Sequence, residues 1–111
     1  MYLIIDDDTA GAVPATAAAV RAAFHPPELY YGTIVDLRAD DGELSAAAAT
    51  GPFALPADEA ECYLSCEVGG RRLNRRGPVS RAETVALFER FLAGERGFAR
   101  EPEWVESRDG A

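Results

Sequence analysis

The sequence predicts an α+β fold: a single antiparallel sheet with two helices packed on one face, in the order β-α-β-β-β-β-α-β. Three observations point to it. Residues 60–68 alternate between apolar and polar and run into Gly69-Gly70, the pattern of a half-buried strand entering a two-residue hairpin. Ser80 and Glu83 stand at capping-box spacing before a run of helical periodicity, and Gly94 stands where a left-handed residue would end it. The strand-like segments between the two candidate helices come as one block, which suits helices gathered on one face of an antiparallel sheet.

Taken in order, Tyr2-Leu3-Ile4-Ile5 is a short β-type run that Asp6-Asp7-Asp8 ends. Pro14 suits the first turn of a helix, where its missing N–H costs little. Val13, Ala17, Val20 and Phe24 recur at i, i+4, i+7 and i+11 as one apolar face, among alanines that favour helix. His25-Pro26-Pro27 closes that helix, because a residue before proline avoids the helical region. Residues 30–38 read as a strand, with Tyr31, Thr33, Val35 and Leu37 on one face and Ile34 on the other. Asp40-Asp41-Gly42 is a hairpin turn. Residues 44–50 return as a strand, although four consecutive alanines have little strand propensity. Gly51-Pro52 and Leu55-Pro56 mark a loop.

On the following strand Ala60, Cys62, Leu64, Cys66 and Val68 point one way and Glu61, Tyr63, Ser65 and Glu67 the other. A loop at Gly69-Gly70 then sets Val68 opposite Arg71, Glu67 opposite Arg72 and Cys66 opposite Leu73. Arg71 and Arg75 share the side of Leu73, so their stems must run over apolar surface to reach water. The second helix carries Val85, Phe88, Phe91 and Leu92 on one stripe. Trp104-Val105 forms a short final strand.

At 111 residues the chain is read as one domain, 1–111, with a single core. Its apolar share of 48% with 27% charged residues places it among globular chains. The net charge is −8, with acids spread along the whole length. Two readings of that charge stand: a surface that resists aggregation, or an acidic face that meets a basic partner and speeds the encounter. Direct nucleic-acid binding is disfavoured, since phosphates would be repelled over most of the surface. The longest apolar-looking run, residues 10–23, is broken by Gly, Pro, Thr and Arg, so no membrane span is expected. No basic region precedes the first apolar residues, so no signal peptide is expected and a cytoplasmic location follows.

Several residue groups invite a chemical reading. Cys62 and Cys66, four apart on a strand, have Cα atoms ~13 Å apart, too far for a disulfide. On the apolar face of a strand they read as packed thiols. A zinc site would need two more ligands, and the chain has a single histidine, His25. Asp6-Asp7-Asp8 lacks the spacing of a calcium loop and reads as a solvated turn. Arg71, Arg72, Arg75 and Arg76 form the basic cluster, read as cross-strand partners for Glu61 and Glu67 in preference to an anion site. Trp104 is either a core plug or an interface anchor. No cofactor and no metal are expected.

Pro78, Ser80, Phe91-Leu92, Gly94-Glu95-Arg96 and Trp104 give the last third of the chain a particular look. It resembles the small α+β immunity proteins of bacterial polymorphic-toxin systems, the family often encoded beside deaminase toxins and ending in a Trp strand. Where that family has Gly-x-Gly, this chain has Gly69-Gly70. The resemblance implies an antitoxin that acts by binding, with no catalytic residues. Its implied partner is a cognate protein toxin, for which the net charge of −8 leads us to expect a basic cleft, and charge and the lack of a span lead us to expect no direct nucleic-acid or membrane contact. Candidate partner-binding residues are the acids Asp40, Asp41, Glu43, Glu101, Glu103 and Glu106, together with Trp104. Two other classes stay open: a small acidic secretion-chaperone-like or adaptor protein, and a hydrolase that would need Cys62 or Cys66 exposed near His25. Monomer and homodimer both remain compatible with the sequence.

Overall fold

The computed structural model describes residues 1–24, 33–48 and 61–106. The architecture is α+β. Eight strands form one antiparallel sheet: β1 (Tyr2–Ile5), β2 (Val13–Pro14), β3 (Ile34–Ala39), β4 (Gly42–Ala48), β5 (Glu61–Val68), β6 (Arg71–Arg75), β7 (Val79–Ser80) and β8 (Trp104–Glu106). Their spatial order is β2-β1-β3-β4-β5-β6-β8, and β7 pairs with the first residues of β5. Helices α1 (Ala17–Ala23) and α2 (Arg81–Leu92) pack together on one face. None of the helices among the described residues is long and apolar enough to cross a membrane.

Pro14 does not open the first helix. Val13–Pro14 pairs with Leu3 and Tyr2 at the sheet edge, where a residue without an N–H is tolerated. The helix begins at Ala17, with the Thr16 hydroxyl accepting the Ala19 N–H at 3.1 Å. Its buried face is therefore Val20, Ala23 and Phe24, and Val13 and Ala17 are exposed. A β-type Thr before a run of alanines was the better start signal. The expected stop at His25-Pro26-Pro27, the strand residues Tyr30 and Tyr31 and the loop prolines Pro52 and Pro56 lie outside the described residues.

In the β3–β4 hairpin Ala39 faces Gly42, so the loop is Asp40-Asp41 alone. Gly42 is required by proximity: a Cβ there would run into the Glu67 carbonyl oxygen of β5. The alanines of β4 form strand against their propensity. Ala46 and Ala48 are buried between β3 and β5, where pairing on both sides outweighs the intrinsic preference. The β5–β6 hairpin has the expected register, Val68 with Arg71, Glu67 with Arg72 and Cys66 with Leu73. Gly69 and Gly70 have φ of +61° and +77°, as a type I′ turn demands.

One core lies between the sheet and the helices. Leu3, Val35, Leu37, Leu44, Leu64 and Leu73 cover the sheet side. From α2 come Phe88 and Phe91, with Phe88 edge-on to Phe24 of α1 at 4.9 Å. Thr84 is also buried on this helix, where its hydroxyl donates to the Ser80 carbonyl at 2.9 Å, so a residue outside the expected stripe is accommodated. Val85 and Leu92 pack at the rim of the core. The Ser80 hydroxyl accepts the Glu83 N–H at 3.1 Å, as the capping signal predicts. At the other end Gly94 has φ +95°. Its N–H reaches the Phe91 carbonyl and the Glu95 N–H the Arg90 carbonyl, each at 3.0 Å, which is a Schellman stop. A 3₁₀ turn, Gly97–Arg100, then places Phe98 between Phe91 and Trp104, with ring centroids 6.3 and 5.2 Å away.

The two faces of α2 predict unequal consequences. Phe88→Ala is expected to lower the unfolding free energy by ~3–5 kcal/mol. Arg90→Ala, which loses only an exposed 2.8 Å ion pair with Glu95, is expected to change it by less than ~1 kcal/mol. Denaturant midpoints measure both, and equal shifts would show the helix face to be misassigned.

Candidate partner-binding surface

The strand alternation that builds the core also builds a second face. Across β3, β4, β5 and β6 the outward residues fall into rows. Arg38, Glu43, Glu67 and Arg72 stand opposite one another in the first row. Asp36, Ser45, Ser65 and Asn74 form the second. Ile34, Ala47 and Tyr63 form the third. Both helices lie on the other side, and Tyr63 is 56% exposed.

The electrostatics of this face are uneven. Glu43 and Glu67 are direct cross-strand neighbours, an unfavourable like-charge pairing. Each has a flanking arginine: Arg38 Nε lies 3.3 Å from Glu43 and Arg72 Nε 3.4 Å from Glu67. Asp36 is only 4% exposed, unusual for a carboxylate on an uncovered sheet face. It accepts the Ser45 hydroxyl at 2.5 Å, while Glu43 lies 3.1 Å from the same hydroxyl. One hydroxyl proton serves only one of the two at a time. The Arg38 Nη2 is 3.6 Å from both Asp36 and Asp7. Among the described residues its buried Nε has no hydrogen-bond acceptor, so the contact with Glu43 is a charge contact and not a directed bond. Around these groups runs a groove of about 500 Å³, with Asp36, Glu43 and Ser45 on one side and Ile34, Ala47 and Tyr63 on the other.

The structure distributes the sequence-predicted residues over three places. Asp40 and Asp41 occupy the β3–β4 turn. Asp41 receives two hydrogen bonds from Arg96, at 3.0 and 3.1 Å. Those bonds and the guanidinium charge hold its carboxyl below the usual range. Arg96 also stacks 3.6 Å above the Phe91 ring and donates to the Phe91 carbonyl at 2.7 Å. Asp41 is thus a tie between the sheet and the end of α2. Glu43 sits on the open face. Glu101, Glu103 and Glu106 lie at and before β8, the far edge of the sheet. Glu106 pairs with Arg71 at 2.9 Å, and the Glu103 carbonyl accepts the Arg76 N–H at 2.7 Å. Trp104 is 7% exposed and packs on Phe98, so it is part of the core.

The remaining groups resolve in the same terms. Asp6 accepts the Ile34 N–H at 2.9 Å and Asp8 the Gly11 N–H at 3.1 Å, so both cap backbone. Arg72 meets Glu67 as expected, but Arg71 takes Glu106 in place of Glu61, which stands opposite Ser80. Cys62 and Cys66 are buried and unlinked. Burial pushes both thiols up, Cys66 to about 11, with Thr84 partly offsetting the shift at Cys62. This is the reverse of an activated thiolate. His25 lies outside the described residues. Asp36, Ser45 and Tyr63 were not singled out from the sequence. Their signal was their place at the polar positions of alternating strands, which reads first as solvent side.

Comparison with protein-family models, with curated proteins and with solved structures finds no match to this chain.

Two predictions follow from this geometry. Cys66 stays protonated in the native state up to about pH 11, whereas the unfolded thiol ionises near 9. Between those values the native state holds the extra proton, so stability falls as pH rises through the window. Cys66→Ala should flatten that slope in denaturant titrations, and a slope unchanged by the substitution would refute the assignment. Arg96→Ala should destabilise by ~1–3 kcal/mol, because it removes a ring contact and a helix-end hydrogen bond together. Asp41→Asn should cost less in the same assay.

Proposed function

We propose that this chain is an immunity protein that binds a cognate bacterial toxin and blocks its active-site cleft. The reading is of a cleft that is basic because its substrate is a nucleic-acid backbone, as in a deaminase acting on nucleic acid. The observation that carries the reading is the open face of the sheet. It presents three carboxylates, Glu43, Glu61 and Glu67, around the buried Asp36, together with two guanidiniums, Arg38 and Arg72, and with Tyr63 standing clear beside them. Backbone pairing holds these groups in place, so little ordering entropy would be lost when they meet a partner. The net charge of −8 would steer a basic cleft toward them. The C-terminal resemblance to immunity proteins supports the same role.

The test is titration of the chain into the toxin module encoded beside its gene. Toxin activity should vanish at an equimolar ratio. The association rate should fall as salt rises, since steering is screened beyond ~8–10 Å at ordinary ionic strength. Dissociation should change less. Full toxin activity in the presence of excess chain would overturn the proposal, and tight binding without loss of activity would assign an escorting role instead.

A further inference from the structure

We propose that the partner docks on the open face of the sheet, with one of its arginine or lysine side chains seated in the groove beside Asp36 and Glu43. The inference rests on the toxin-binding reading and names the surface that performs it.

Hydrogen-bond capacity is the first argument. Among the described residues Asp7, Asp36 and Glu43 lie 3.6, 3.6 and 3.3 Å from the Arg38 guanidinium, and Arg75 also lines the groove. An ionised carboxylate offers about four acceptor positions. Among the described residues the Ser45 hydroxyl supplies the directed bond to Asp36 and has no second proton for Glu43. Three carboxylates, Asp7, Asp36 and Glu43, thus line the groove against two guanidiniums, Arg38 and Arg75, which leaves it net negative. A guanidinium or an ammonium brings three to five N–H groups and the missing charge.

Shape and apolar surface are the second. The row next to Asp36 and Ser45 is Ile34, Ala47 and Tyr63, one pleat repeat or ~6–7 Å along the strands. The methylene stem of a long basic side chain would lie on that apolar row while its head meets the carboxylates. The exposed Tyr63 ring adds a face for a cation or an apolar neighbour. A bare metal ion would use the carboxylates and ignore this row. A protein segment uses both.

Two of the other acids are already tied into the fold. Asp41 is held by Arg96 and Glu106 by Arg71. The edges of the sheet are short: β2 has two residues, one of them Pro14 without an N–H, and β8 has three. Adding a partner strand there would gain few ladder hydrogen bonds. The face is the larger offer.

The test compares variants for affinity toward the adjacent-gene toxin module, each first shown to keep the wild-type melting temperature. Glu43→Gln with Tyr63→Ala removes one of the groove's three carboxylate charges and its ring. Ser65→Arg fills the face with a cation and bulk. Glu101→Gln with Glu103→Gln alters the far edge only. The edge variant should bind like wild type, and each face variant at least about tenfold more weakly. Should one face variant melt early, the other still decides. If wild type binds and both face variants bind within about twofold of it, the groove inference falls and the toxin-binding reading stands. If wild type fails to bind the module, both fall. Self-association of wild type that Tyr63→Ala abolishes would give the face to a second copy and overturn the inference.

Discussion

The register between β4 and β5 is the constraint from which the rest follows. Gly42 passes so close to the Glu67 carbonyl that no side chain fits there. Because side chains alternate with a period of two, a slip of one residue would turn Cys62, Leu64 and Cys66 outward and Tyr63, Ser65 and Glu67 into the core. Gly69-Gly70 fixes the next hairpin in the same sense. Both faces are thereby set at once. The core gains its apolar side, and the outer face gains its ordered rows of charge, small polar groups and apolar groups.

The C-terminal third closes this platform from behind. α2 lays Phe88 and Phe91 on the sheet, the Schellman stop reverses the chain, and Phe98 joins Phe91 to Trp104. Arg96 is the joint of the arrangement. It touches the Phe91 ring, the last turn of α2 and the Asp41 turn, so helix end and hairpin end are held by one side chain. Gly94, Arg96 and Trp104, residues of this segment, all act in folding.

The sequence shows the fold wherever a local rule is strong. The alternation of β5, the glycine turn, the Ser80 cap and the Gly94 stop each have one physical reading, and the structure has the same elements. The miss at Pro14 came from a residue that suits two places, a first helical turn and a sheet edge. Pairing with β1 decided between them, and that contact is not local. Thr84 lies outside the apolar stripe, and it is buried because the Ser80 carbonyl satisfies its hydroxyl inside the core. The candidate surface was less legible than the fold. Glu43 could be named from its charge. Asp36 could not, since its burial depends on Ser45 and Arg38, which neighbouring strands bring to it. Nor could the core position of Trp104 be separated from an interface position without Phe98 beside it.

Strand alternation has one more consequence. On β5 the residues that hold the fold, Cys62, Leu64 and Cys66, and the residues that face outward, Tyr63, Ser65 and Glu67, interleave without sharing neighbours on the same side. The ladder that joins them is backbone and is indifferent to which side chains it carries. Outer positions can therefore change identity while the core stays as it is. Under the proposed toxin-binding role, recognition would drift along every second residue while the others keep the shape.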